Sequence, residues 1–222
     1  KNLQKTTWKK TTTEGMPADP FFFFIWYNLS MTDTDLLTRV RELDINDAEA
    51  IARVNVTSYL ESDRRCPNPE QTNYNIGSHL PYNIGRWRGK LDNLSADDNK
   101  DTFLGVEEDG ELKGFIHYGV NKKNPASAEI HALYVHPDHW GAGTGKRLFE
   151  AAAENLQAKG YNHLLVRTLR DDPIPNGFYK KMGFDLTKVF KQISGSRDVV
   201  YEMNLDSLDI WLQRQKGCQL FG

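Results

Sequence analysis

The chain predicts a mixed α/β domain, one sheet that is antiparallel in part and parallel in part, with helices on both faces. Three observations carry that expectation. Strand-like and helix-like segments follow one another as strand, helix, helix, three strands, helix, strand, helix, two strands. Asp109-Gly110 separates two strand-like runs, Thr102 to Glu107 and Lys113 to Val120, and is the residue pair a tight hairpin turn calls for. A further strand-like run, Ala128 to Val135, stops at Pro137 and passes into glycines at alternate positions, Gly141, Gly143 and Gly145, before a helix-forming segment.

Taken in order, Thr38 to Leu43 reads as a strand. A helix start follows at Asn46, with Glu49 three residues on in a capping-box arrangement. Ile45, Ala48, Ile51, Ala52, Val54 and Tyr59 then recur at helical spacing to about Ser62. The stretch from Arg64 to Asn99 holds Pro67, Pro69, Gly77, Pro81, Gly85 and Gly89, which predicts loops around a short helix near Tyr82 to Leu91. Strict alternation along Ala128 to Val135 puts Ile130, Ala132 and Tyr134 on one face and Glu129, His131, Leu133 and Val135 on the other. Apolar residues on both faces place this strand in mid-sheet. Leu148, Phe149, Ala152 and Leu156 form the buried stripe of the next helix, which Gly160 ends. A parallel strand at His163 to Leu169, a short helix at Phe178 to Met182, and strands near Leu186 to Phe190 and Val199 to Asn204 complete the domain.

Residues 31–205 are expected to form that domain. Residues 1–30, with their threonine clusters and the run Phe21 to Tyr27, read as a flexible leader or added extension, or else as aromatics that dock on a sheet edge or a partner. Residues 206–222 form a C-terminal extension with Leu208, Trp211 and Leu212 at helical spacing. The aromatic run is too short to span a bilayer, and Glu14 and Asp19 precede it, so neither a membrane anchor nor an export signal is expected. The 28 basic and 30 acidic residues give a net charge of −2 and are mixed along the chain, which suggests no nucleic-acid partner. Cys66 and Cys218 are far apart and show no metal-ligand spacing. No disulfide framework and no metal are expected, and a reducing, cytoplasmic setting fits.

The glycine-rich junction is built to hold a phosphate. Glycine lets the backbone approach an anion closely, and the following helix aims its unpaired N–H groups at the same point. A Walker loop needs a glycine where Trp140 stands and a Ser or Thr where Arg147 stands. A dinucleotide fingerprint needs Gly-x-Gly-x-x-Gly, whereas this loop is Gly-x-Gly-x-Gly. The segment ALYVHPDHWGAGTGKRLFEAA instead resembles the pyrophosphate loop of the GNAT N-acetyltransferases, Gln/Arg-x-x-Gly-x-Gly/Ala at a helix start. Trp140 takes the Gln/Arg position, and Gly143 and Gly145 are the small residues. Downstream, NGFYKKMGF, Asn176 to Phe184, resembles the family's Phe-Tyr-x-x-x-Gly-Phe segment. The likeness spans roughly Thr38 to Leu205.

The resemblance implies a mostly antiparallel sheet whose two parallel strands splay to admit the pantetheine arm of acetyl-CoA. Its diphosphate would rest on Trp140, Gly141, Ala142, Gly143, Thr144, Gly145 and Lys146, and its pantetheine on the backbone of Leu133, Tyr134 and Val135. Tyr179 would protonate the departing thiolate. Glu129 would take a proton from the acceptor ammonium, with His131 or a water as alternatives, and Val135 N–H would serve the oxyanion. The family commonly has Asn where Asp172 stands, so Asn176 is a substitute contact to the cofactor. The acceptor would be an amine-bearing small molecule or a peptide, with Tyr74, His79, Tyr82, Arg86 and Trp87 as candidate contacts beside plain loop or core positions. A homodimer is compatible with this reading. The competing readings are a catalytically silent acyl-CoA-binding module, and a nucleoside-triphosphate enzyme, which the missing Walker residues disfavour.

Overall fold

The computed structural model describes residues 38–65, 79–95, 101–191 and 197–207. The leader 1–30, Tyr74, both cysteines and nearly all of the C-terminal extension lie outside these residues. The elements are β1 (Thr38–Glu42), α1 (Ala48–Arg65), α2 (Leu80–Asp92), β2 (Thr102–Glu108), β3 (Glu111–Val120), β4 (Ala128–Val135), α3 (Thr144–Ala158), β5 (His163–Leu169), α4 (Pro173–Lys181), β6 (Asp185–Lys191) and β7 (Arg197–Asn204). Their succession is the one the sequence predicts. The seven strands form one sheet in the order β1-β2-β3-β4-β5-β7-β6. Every neighbouring pair is antiparallel except β4 with β5, which is parallel.

Helices cover both faces. On one face Leu148, Phe149, Ala152 and Leu156 of α3 pack against Ile116, Ile130, Leu164 and Val166 of the sheet. On the other, Ile51 and Ala52 of α1 and Trp87 and Leu91 of α2 pack against Phe103 and Phe115. Each large side chain buried this way contributes about 1.5–3 kcal/mol, so the two apolar layers fix the sheet between them.

The Asp109-Gly110 turn joins β2 to β3 with φ of 53° and 76°, the two left-handed residues required by the hairpin whose twist matches its strands. The first helix is capped earlier than expected. Asp44 Oδ1 accepts from Asn46 N at 2.8 Å and Asp47 Oδ2 accepts from Asp44 N at 2.9 Å, so the capping box is Asp44/Asp47 and not Asn46/Glu49. Asp47 is also held by Arg41 at 2.7 Å, and Arg41 reaches Glu107 at the same distance, which ties β1, β2 and the cap together.

The expected alternation along β4 also needs correction. His117 of β3 faces Ala132, but the next residue, Tyr118, faces Ile130, so His131 is the extra residue of a β-bulge. Beyond the bulge the faces exchange parity. Ala128, Ile130, Leu133 and Val135 belong to the core under α3, and Ala132 and Tyr134 to the core under α1 and α2.

Candidate active site

The parallel ladder between β4 and β5 lasts only three pairs, Ala128 with Leu164, Glu129 with Leu165 and Ile130 with Val166. It stops where the bulge bends β4, while β5 stays paired to β7 along its whole length. The strands therefore part toward their C-terminal ends. A cavity of about 1020 Å³ fills the wedge, lined by β4 from Ile130 to Val135, β5 from Val166 to Leu169, the glycine turn, α1 and α4. His136 N donates to Lys113 O of β3 at 2.8 Å. Strand alternation then directs the main-chain groups of Tyr134 toward β3 as well, and those of Leu133 and Val135 toward the open gap. Of the three residues expected to meet a ligand through the backbone, Tyr134 is the one whose amide is turned away.

After β4 the chain makes one helical turn at Pro137–His139 and reaches Trp140, whose indole Nε1–H donates to Val135 O at 2.7 Å. The side chain in the Gln/Arg position thus closes the turn onto the end of β4, and Arg65 of α1 lies over its ring, 5.0 Å from the centroid. Gly141 and Gly143 have φ of 82° and 85°. A Cβ at either would meet no atom within 4 Å, so conformation and not crowding calls for glycine. Gly143 caps α3 without any side-chain hydrogen bond to the helix end. The N–H groups of Thr144, Gly145 and Lys146 begin the helix and have no intrahelical acceptor. Gly141, Gly143, Gly145 and Lys146 line the cavity. Lys146 Nζ lies 3.7 Å from Glu150. Thr144 is buried, with its methyl against Gly114, and Ala142 is not among the lining residues. At Gly145 the demand is steric: a Cβ would stand 3.2 Å from the ring of Phe178 on α4.

That contact brings α4 beside the glycine turn. The helix begins at Pro173, earlier than the sequence suggested, because Asp172 caps it by accepting from Ile174 N at 3.0 Å. Pro173 and Pro175 fall in the first turn, where no N–H is needed. The other carboxylate oxygen of Asp172 accepts from Ser62 Oγ of α1 at 2.5 Å. Asn176 is engaged elsewhere. Its amide donates to Leu169 O, Arg170 O and Asp172 O and its Oδ1 accepts from Tyr201, and it does not line the cavity. Tyr179 is buried between Phe178, Phe184 and Tyr201 and lines the cavity. Burial first, and Tyr134 second, raise its phenol well above the usual tyrosine value, so it stays protonated. The phenol and the glycine turn share one cavity.

Glu129 and His131 share the α1/α2 face. Glu129 lies 3.4 Å from Arg167 and outside the cavity lining, whereas His131 lines it. Beside His131 is a group whose sequence spacing revealed nothing. Asp101 Oδ2 bonds His117 Nε2 at 2.9 Å, and its Oδ1 is 3.8 Å from His131 Nε2. Of the other expected contacts, Trp87 is a core residue whose indole donates to Asn55, Arg86 stacks on Trp87, and His79 caps α2. Tyr82 is exposed.

The model of the acetyltransferase (GNAT) family matches residues 58–184. The chain belongs to that family. Its GNAT fold is shared with the PaiA N-acetyltransferase of Thermoplasma acidophilum, crystallised with coenzyme A, at 23% identity and a TM-score of 0.61 over 75% of this chain and 98% of that one. It is shared too with the yncA protein of Salmonella typhimurium, solved with acetyl-CoA, at 17% identity and a TM-score of 0.58 over 77% and 95%. Two curated relatives match shorter stretches. An uncharacterized N-acetyltransferase of Methanocaldococcus jannaschii is 29% identical over 42% of this chain, and the streptothricin acetyltransferase of Streptomyces lavendulae is 31% identical over 37%. The match spans 43% of the length of each. Among the described residues of this GNAT chain, no helix is long and apolar enough to cross a membrane.

Proposed function

We propose that the protein moves the acetyl group of acetyl-CoA to a primary amine of a small molecule or peptide, by direct attack within a ternary complex. The observation that carries this reading is the one cavity that joins the start of α3, where no side chain bonds the free N–H groups, to Tyr179 through the splayed strands. The diphosphate sits on the N–H groups from Gly143 to Lys146, where the helix dipole favours an anion, and Lys146 adds charge. The pantetheine lies along the open edge of β4, meeting the main chain of Leu133, while Val135 O is held by Trp140. Trp140 holds that edge in place and does not bond the cofactor.

The acceptor ammonium gives a proton to a base on the α1/α2 face of β4, and the freed lone pair attacks the thioester carbon. Negative charge on the carbonyl oxygen is met by Val135 N–H, which alternation aims into the gap. As the carbon–sulfur bond breaks, the thiolate takes the proton of Tyr179, and the tyrosinate regains one through solvent from the new amide nitrogen. The net products are an amide, free coenzyme A and one proton. No resident metal takes part.

Supplying acetyl-CoA with polyamines, aminoglycosides, and peptides while following free thiol tests the reading. Amine-dependent thiol release is expected. Tight acetyl-CoA binding without turnover on any amine would favour the silent acyl-CoA-binding module instead.

A further inference from the structure

Asp101 lies just before β2, far in sequence from the glycine turn and Tyr179, yet its carboxylate reaches the bulge on β4. Gly119 makes this possible. A Cβ there would stand 2.1 Å from Asp101 Oδ1 and 3.1 Å from Asp101 Cα, so the acid occupies the space of a missing side chain. Gly119 pairs with Glu129 across the strands, and the next pairs lead to the bulged His131. From this seat Oδ2 bonds His117 Nε2 at 2.9 Å and Oδ1 faces His131 Nε2 at 3.8 Å.

We propose that Asp101 is a positioning residue: seated over Gly119 and anchored by His117, it holds His131 at the bulge as the group that takes the proton from the acceptor ammonium. This rests on the acetyl-transfer reading above and names its base.

The chemistry follows from the hydrogen bonds. An ionised carboxylate only accepts, so His117 donates through Nε2–H and its Nδ1 is a bare lone pair. That atom is buried with no partner. The same atom argues against a metal held by Asp101, His117 and His131, whose ligand atoms lie within 4.8 Å of one another. A metal-bound imidazole donates its outer N–H to a partner, and here there is none among the described residues. Closing that 3.8 Å gap to a hydrogen bond would put the His131 proton on Nε2, facing Asp101, and leave Nδ1 to accept the substrate proton. The 3.8 Å separation is the loose geometry common before substrate binds.

The charges around the imidazole set its poise. Burial lowers the His131 pKa, His117 and Lys90 of α2 lower it further, and Asp101 and Glu129 raise it. Arg86 of α2 acts on His117, and Arg167 of β5 faces Glu129. His131 is therefore neutral at pH 7, as a base must be before it acts, and Asp101 then stabilises the imidazolium that forms.

The test uses the full chain and two lesions that move the carboxylate by different routes, Asp101→Asn and Gly119→Ala, each checked by circular dichroism. In both, the His131 ring resonances should titrate at lower pH than in the wild type. The acid limb of kcat/KM should move down with them, and kcat should fall roughly 10- to 100-fold with the KM for acetyl-CoA unchanged. His131→Gln should cost about 100- to 10,000-fold and remove that limb. Unchanged His131 titration and acid limb in a folded Asp101→Asn protein would overturn the inference, as would full activity in His131→Gln. Wild-type transfer alongside such results would sink only the role of Asp101 and His131. Absence of transfer by the wild type would overturn both readings.

Discussion

The indole N–H of Trp140 donates to the carbonyl oxygen of Val135 across 2.7 Å, joining the glycine turn to the last residue of β4. The bond satisfies a carbonyl that the parting of β4 and β5 leaves without a strand partner. Trp140→Phe keeps a ring for Arg65 to lie on but strands that carbonyl. Stability should fall by about 1 kcal/mol in a urea titration, and the KM for acetyl-CoA should rise several-fold as the turn loosens.

At Gly143 the φ of 85° makes any side chain strained by about 1–2 kcal/mol, whatever the open space around it. Gly143→Val should weaken acetyl-CoA binding by calorimetry at least about 10-fold, with a smaller change in kcat. Gly85 of α2 is the control. It has helical surroundings and nothing within 4 Å of a Cβ, so Gly85→Ala should stabilise by about 0.5–1 kcal/mol and leave binding alone.

Tyr179→Phe removes only the phenol oxygen from a ring packed by Phe178, Phe184 and Tyr201. Turnover should drop about 100- to 10,000-fold while the Kd for acetyl-CoA stays within about 3-fold of the wild type. Equal losses in both would show that the ring positions the cofactor and gives no proton.

His117 is held below the ordinary histidine value, chiefly by burial, with the Asp101 hydrogen bond pulling partly the other way. A base depressed in the folded state binds fewer protons there than in the unfolded chain. Its stabilising effect is present above the unfolded value of about 6.5 and is lost as pH falls through the folded one. The melting temperature should drop from pH 7 to pH 5, and less so in His117→Gln. An equal drop in the variant would assign the acid sensitivity to other groups.

The fold was legible where local chemistry decides structure. Asp109-Gly110 prescribes its turn, Gly141 and Gly143 mark positive φ, and the stripe on α3 marks a buried face. The bulge at His131 was not legible, because it is a property of register between two strands and its residue carries no local signal. Missing it put Leu133 and Val135 on the wrong face. Asp101 was hidden for a related reason, since its place depends on an absent Cβ at Gly119 on another strand. Asn176 and Asp172 were read as cofactor contacts or their loss. The structure spends both on the start of α4, where a cap and three carbonyls compete for the same polar atoms.

In the proposed reaction one cleft aims an acetyl thioester from the glycine turn to Tyr179. A crystal structure of the protein with coenzyme A measures it directly. The diphosphate is expected on the N–H groups of Gly143 to Lys146 and the sulfur near the Tyr179 hydroxyl, in contact or through one water. A diphosphate bound away from that turn, or a sulfur on the far side of β4 from the phenol, would contradict it.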